Sequence, residues 1–175
     1  FLGFLWTLIS PLINLTVLAV IFSVVFKQEF RIFGVYVFSA LTPWTFISGC
    51  MAQSPLVLIN AETYLKKVYV PKIIFPLTLV SVEGINFFFS IVSIYILFLL
   101  MGAQFSWVML LTPVAMLITA IFVLGLTILL SIAHLYFRDV SHINTVVVGA
   151  LFFALPIMYP METIPPEYQI IFSLN

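Results

Sequence analysis

"GINFFFSIVSIYILFLLMGAQFSWVMLLTPVAMLITAIFVLGLTILLSIAHLYF", residues 84–137, is the stretch that decides the fold class of this chain. It runs for 54 residues between Glu83 and Arg138 without a single Asp, Glu, Lys or Arg. As one helix it would be roughly 80 Å long, whereas the hydrocarbon core of a membrane is about 30 Å thick. The stretch therefore predicts two membrane crossings, over 77–101 and 108–135. The break between them is expected at 101–104, followed by Trp107 as an interfacial anchor.

The composition of the whole chain agrees with a lipid environment. The 175 residues are 64% hydrophobic and 7% charged, with a mean hydropathy of +1.30, whereas soluble domains are about 45–50% apolar. The single cysteine, Cys50, excludes an intrachain disulfide and any metal site built on several cysteines. No basic patch has the size that nucleic-acid binding needs, so we expect no nucleic-acid partner.

Three further apolar stretches complete the prediction of an all-α integral membrane protein with five transmembrane helices. They cover 6–26, 36–54 and 143–159, and charged residues separate them. The balance of Lys and Arg between the connecting segments places 55–76 and 136–142 in the cytoplasm. The sequence begins at Phe1 with apolar residues and no basic n-region, so we expect no signal peptide and regard the chain as part of a longer one.

The segment 55–76 is unusually long for a connection between two crossings. It contains half of all Lys and Arg residues, at Lys66, Lys67 and Lys72. Ser54 and Pro55 predict a helix start, and two later prolines, at 71 and 76, predict its end. The lysines could simply anchor the chain at lipid headgroups, or the segment could be a surface helix presented to a cytoplasmic partner. Its length favours the second interpretation.

Few residues here are suited to chemistry. Glu83 lies within a predicted crossing, so it is either a functional acid or a structural one that is neutral, reaches Lys72 or lies at the level of the lipid headgroups. His134 and His142 lack the additional ligands of a metal site, so none is expected. The sequence has no phosphate-binding glycine loop and no set of catalytic acids and bases, so we expect neither a cofactor in this chain nor enzymatic activity. If the protein pumps a substrate, another chain must hydrolyse the ATP.

Four motifs in order along the chain point to a family: "LGFLWTLISPL" (Leu2–Leu12), "LKKVYVPKIIFPL" (65–77), "HLYFRDV" (His134–Val140) and "PIMYPMETIPPEYQIIFSLN" (Pro156–Asn175). Together they resemble the membrane subunit of an ABC-2 type exporter. The branch most similar to this chain exports lipid-linked polysaccharide, either O-antigen or teichoic acid. The resemblance covers nearly the whole chain.

The resemblance implies six crossings, of which five are seen here, and a homodimer whose subunits each dock on a cytoplasmic ATPase that binds ATP and Mg. Residues Ile59–Val70 would form the coupling helix, and 156–175 a re-entrant gate segment on the outer face. The candidate coupling residues are Glu62, Tyr64, Lys66, Lys67, Arg138 and Asp139. The candidate gate residues are Pro156, Pro160, Glu162, Pro165 and Pro166.

Aromatic residues make up 17% of the chain and include 19 Phe. Sugar rings stack on aromatic faces through weak contacts, which would suit a polymer that slides through a channel. The channel-lining candidates are Trp6, Phe26, Trp44, Phe46, Phe152, Phe153 and Tyr159. Aromatic side chains also pack helices together and form belts at membrane interfaces, and that alternative stays open for each of them.

The sequence therefore predicts a subunit of an ATP-driven exporter of a lipid-linked glycan in the bacterial cytoplasmic membrane. One alternative is the same architecture exporting drugs or small lipids. A second is an integral membrane enzyme acting on polyprenyl-linked sugars, but the acid, base and metal residues for it are missing. A third is a purely structural membrane protein, which would not explain the long cytoplasmic segment.

Overall fold

A computed structural model of the chain describes seven positions between 9 and 24, residues 30–100 and 107–157, and residues 159 and 167. Within these ranges the regular elements are helices and none is a strand, which confirms the all-α class. In order they are α1 (Phe30–Gln53), a 3-10 turn (Ser54–Leu56), α2 (Val57–Asn60), α3 (Glu62–Lys67), α4 (Ile74–Leu100), a second 3-10 turn (Trp107–Leu111), α5 (Thr112–Tyr136) and α6 (Val140–Ala154).

Helices α4 and α5 are the two longest and most apolar elements. By length and hydropathy, Ile74–Ile96 and Met109–Tyr136 are capable of crossing a membrane. A helix satisfies its own backbone hydrogen bonds, as an environment without water requires. These helices cover the crossings predicted at 77–101 and 108–135, while the break predicted at 101–104 lies outside the described residues.

Two other predicted crossings fall on less typical helices. The crossing predicted at 36–54 falls on α1, which is less apolar than α4 and α5. The one predicted at 143–159 falls on α6, whose 15 residues would extend only about 22 Å. The crossing predicted at 6–26 lies largely outside the described residues. The five crossings therefore stay a prediction, of which two helices with the required length and composition are observed.

Two apolar clusters hold the helices together, and α1 contributes to both. One joins Phe38 and Trp44 of α1 to Phe98 of α4. The other joins Phe46 of α1 to Phe87 of α4 and to Val123 of α5. The remaining buried members are Val37, Leu41, Ile94 and Ile157 in the first cluster, and Cys50 and Val80 in the second. Helix α1 is therefore the central element against which the two membrane-capable helices pack.

The outward faces of the long helices are apolar as well. On α5, Leu117, Ile118, Ile121 and Phe122 are all exposed. In a soluble protein so much contiguous apolar surface would be unstable in water, whereas lipid or another apolar chain accommodates it. Trp107, at the start of the second 3-10 turn, is 82% exposed. That position suits the interfacial anchor that the sequence predicts.

Three details of the connection between α1 and α4 differ from the sequence prediction. Ser54 does not cap a helix: its hydroxyl donates to the carbonyl of Cys50 in the preceding turn, and the chain continues as a 3-10 turn. The surface helix expected over 59–70 is split, and its second part ends at Lys67 because Val68 is extended. Pro76 lies in the first turn of α4, where a missing N–H costs nothing, so it does not end the earlier helix.

Candidate functional site

A cavity of about 300 Å³ lies between the connection 55–76 and the C-terminal end of α5. Its walls combine leucines with polar and charged side chains: Leu58, Glu62, Leu65, Lys72, His134 and Arg138. Two segments that are far apart in sequence meet here. The candidate coupling residues Glu62 and Arg138 therefore line one cavity.

Glu62 and Lys66 form an ion pair on the exposed face of α3, as their spacing predicts. Lys66 Nζ lies 2.6 Å from Glu62 Oε1. The hydrogen bond from Lys66 lowers the pKa of Glu62, as do the charge of Lys66 and, to a smaller extent, that of Arg138. Because the pKa of Glu62 is lower in the folded chain than in the unfolded chain, the ion pair stabilises α3 at pH values above the ordinary pKa of glutamate. This stabilisation is lost as the pH falls through the lowered value.

His134 is the buried polar residue of this cavity. It is 4% exposed, and its Nδ1 has no hydrogen-bond partner among the described residues. Thr127 and Ser131, at earlier positions on the same face of α5, are also fully buried. Helix α5 packs against the 3-10 turn that begins at Ser54. The sequence showed His134 only as an unsupported metal ligand, and the fold instead places it in a polar cavity.

Asn144 joins α6 to the end of α1. Its Nδ2 donates to the carbonyl oxygen of Met51 at 2.7 Å, in a buried position. The last carbonyls of a helix lack partners within the helix, so the side-chain donor of Asn144 satisfies one of them here. Sequence reasoning missed this residue, although an Asn inside a predicted crossing could have indicated a contact between helices.

The other candidate coupling residues do not line the cavity. Tyr64 and Lys67 project from α3 and are exposed, as is Asp139 just before α6. Asp139 occupies the cap position of α6 but makes no side-chain capping bond. These side chains are free to meet a partner, and their coupling role stays a prediction.

Glu83 has a polar neighbour within reach. Its Oε1 accepts a hydrogen bond from Gln53 Nε2 at 2.8 Å, which joins α4 to the last residue of α1. Its Oε2 lies close to Gly49 of α1. This contact favours the structural interpretation of Glu83, since its carboxylate is satisfied between two helices.

The structure divides the channel-lining candidates into packed and exposed aromatic rings. Phe46 is 3% exposed and stacks on Phe87, with ring centroids 4.8 Å apart. Trp44 packs against Phe152 at 6.1 Å. Phe153 is 75% exposed and is therefore available to a substrate or a second subunit. Trp6 and Phe26 lie outside the described residues.

The beginning of the predicted gate segment is tied to α1. The hydroxyl of Tyr36 donates to the carbonyl of Pro156 at 2.8 Å and lies 3.0 Å from the carbonyl of Tyr159. Tyr159 in turn donates through its hydroxyl to the carbonyl of Phe153. These bonds hold the chain against α1 just after α6 ends. The gate candidates Pro160, Glu162, Pro165 and Pro166 lie outside the described residues.

Within the described ranges no group of three or more His, Cys, Asp and Glu side chains is placed to hold a metal ion. The candidate site consists of the cavity, the exposed charged helix α3 and the aromatic rings beside the apolar helices. Such an arrangement offers surfaces for binding and for transmitting movement between helices.

Comparison with known proteins decides the family. The family model described as "ABC-2 type transporter" matches residues 1–175. The chain belongs to the ABC-2 type transporter family. This membership confirms the resemblance found in the sequence motifs and makes the chain part of a membrane protein.

Two relatives of this ABC-2 transporter chain carry the same descriptive name. The O-antigen export system permease protein RfbA of Myxococcus xanthus is 33% identical over 167 residues, which are 95% of this chain and 64% of that protein. A protein of the same name from Klebsiella pneumoniae is 27% identical over 176 residues, covering 99% of this chain and 68% of the relative. The chain thus spans about two thirds of the length of these curated relatives.

Proposed function

We propose that this chain is the transmembrane subunit of an ATP-driven exporter that carries a lipid-linked polysaccharide, O-antigen or teichoic acid, across the bacterial cytoplasmic membrane. The observation that carries the proposal is the likeness, over nearly the whole chain, to permeases named for O-antigen export. Family membership supports transport, and two long apolar helices support a multi-pass arrangement.

In this proposal the segment 55–76 couples the membrane subunit to a cytoplasmic ATPase, which binds the ATP and Mg. Support comes from the exposure of Tyr64, Lys66 and Lys67 on α3, outside the membrane-capable helices. Helix α3 contacts α2, whose Leu58 is buried, and α2 in turn contacts α4 and α5, so a force applied to α3 would reach the two long helices through α2. Binding and release of the ATPase then favour different arrangements of the helices.

The channel would form between two copies of the chain, each with five crossings here of six in the whole subunit. Phe152 and Phe153 are adjacent near the end of α6, and 156–175 would follow them as the re-entrant gate on the outer face. The bonds from Tyr36 to the carbonyls of Pro156 and Tyr159 support a fixed entry to that segment. Exposed aromatic rings such as Phe153 would provide weak, sliding contacts for sugar rings.

The experiment that tests this function is reconstitution of the full-length protein with its cognate ATPase in lipid vesicles. We expect a lipid-linked glycan to be delivered across the bilayer only when ATP is hydrolysed. Vesicles with a catalytically inactive ATPase provide the matched control. ATP-dependent movement of a soluble drug, with the glycan left in place, would contradict the proposal and favour the alternative exporter.

A further inference from the structure

We infer that the cavity between 55–76 and the end of α5 binds the phosphate group of a membrane lipid. The side chains that would hold it are Lys72, Arg138 and His134, and all three line the cavity. Where that lipid is the carrier of the exported glycan, the inference rests on the proposed function. The phosphate site itself does not depend on it.

The charge of the cavity favours an anion. Glu62 is the one acid among the residues that line the cavity. It forms an ion pair with Lys66, and no other ion pair closer than 4 Å is found among the described residues. Lys72 and Arg138 make no ion pair in that part of the chain, and although the charge of Arg138 also acts on Glu62, two cations and one acid give the lining a net positive charge. Lysine and arginine are the side chains that bind phosphate most readily, and arginine can do so with two parallel hydrogen bonds.

The position of the two cations matches the level of lipid headgroups. Lys72 lies two residues before α4 begins at Ile74, and Arg138 lies two residues after α5 ends at Tyr136. Both helices are long and apolar enough to cross a membrane. The cations therefore mark the same end of both helices, at the boundary between hydrocarbon and water.

His134 and the leucines complete a site for a lipid rather than a free ion. The Nδ1 of His134 is enclosed without a partner, so Nε2 is the ring nitrogen left to donate to a phosphate oxygen. Leu58, Leu65 and Leu135 form apolar walls that would contact the first carbons of the lipid chain. A volume of about 300 Å³ is large enough to hold a diphosphate group.

Equilibrium binding to the full-length protein in nanodiscs of zwitterionic lipid tests the inference, without ATPase and without glycan. The probes are a radiolabelled long-chain polyprenyl diphosphate and the matching polyprenol, which lacks the phosphates. We expect the diphosphate to bind at least about tenfold more tightly than the polyprenol, and the Lys72→Gln, Arg138→Gln double variant to lose that preference. Lys67→Gln is the matched control, because this exposed lysine of the same segment does not line the cavity.

Competition with phosphatidylglycerol identifies the occupant. If the phospholipid displaces the probe at equal mole fraction, the cavity binds ordinary anionic lipid; if not, it prefers the diphosphate of a carrier. Either result supports a phosphate site. Equal binding of polyprenol and diphosphate, or unchanged binding by the double variant, would overturn it. Because the assay contains no transport step, a failure of export leaves this result untouched, and the reverse is also true.

Discussion

Asn144 is a polar side chain that links two helices far apart in the sequence. It reaches across 93 positions of sequence to the carbonyl of Met51, where α1 is about to end. Both groups are buried, so each would lose its hydrogen bond to water without gaining another if the contact were absent. The bond therefore holds α6, with its aromatic residues, in register with α1.

Replacing Asn144 tests this role. We expect Asn144→Ala to destabilise the folded protein by about 1–3 kcal/mol, because the Met51 carbonyl loses a buried donor. The measurement is the midpoint of denaturation of the full-length protein in mild detergent. Thr145→Ala is the matched control, since its exposed hydroxyl bonds only to Ser141 in its own helix. Equal midpoints for both variants would show that the contact contributes nothing to stability.

At the scale of elements, the surface helix α3 is predicted correctly in its ion pair and wrongly in its end. The spacing of Glu62 and Lys66 predicts their ion pair, and the structure confirms it. The predicted end of the helix, at Val70 before Pro71, is wrong, since α3 ends at Lys67. The β-branched and aromatic residues 68–70 instead leave the helical conformation first, as their preference for extended backbone favours.

A charge exchange on α3 tests its proposed coupling role. In the triple variant Glu62→Arg, Lys66→Glu, Lys67→Glu an ion pair can still form in reverse, in the less favourable orientation with the basic residue N-terminal to the acid. The surface offered to the ATPase is nevertheless inverted in charge. We expect membrane insertion to survive, while copurification with the ATPase and ATP-dependent export fall at least about tenfold. Normal export by the triple variant would show that the lysines only anchor the chain at the membrane.

At the scale of the whole molecule, the proposed orientation puts α3 and the second 3-10 turn on opposite sides of the membrane. Tyr69, after α3, is 97% exposed, and Trp107 is 82% exposed. Both side chains can therefore be replaced without loss of packing. Cys50 is the sole cysteine of these 175 residues and is buried, so Cys50→Ala, with any cysteine elsewhere in the full-length protein also replaced, provides a background without reactive thiols.

Labelling intact cells with a membrane-impermeant maleimide checks that orientation. In the Cys50→Ala background we expect Trp107→Cys to react from outside, and Tyr69→Cys to react only after the membrane is permeabilised. The physical reason is the excess of Lys and Arg in 55–76, which retains that segment in the cytoplasm. Reaction of Tyr69→Cys from outside would reverse the proposed topology and remove the coupling role of α3.

The sequence by itself determined the lipid environment, the helical class, the places of α4 and α5, and the family. Hydropathy, charge spacing and short motifs are local along the chain, so they can be read without knowing which helices touch. The same locality explains what was missed. The bounds of α3, the role of Ser54 and the place of Pro76 depend on how the connection lies against its neighbours.

The tertiary structure alone decided which side chains meet. It brings Lys72 together with His134 and Arg138, although more than sixty positions separate them in the sequence. It pairs Asn144 with Met51 and stacks Phe46 on Phe87, so that one channel candidate is packed between helices. Amphipathic patterning is weak in helices that are apolar on all faces, because apolar side chains are favourable both against lipid and against a neighbouring helix. Only packing then selects the face that each helix turns inward.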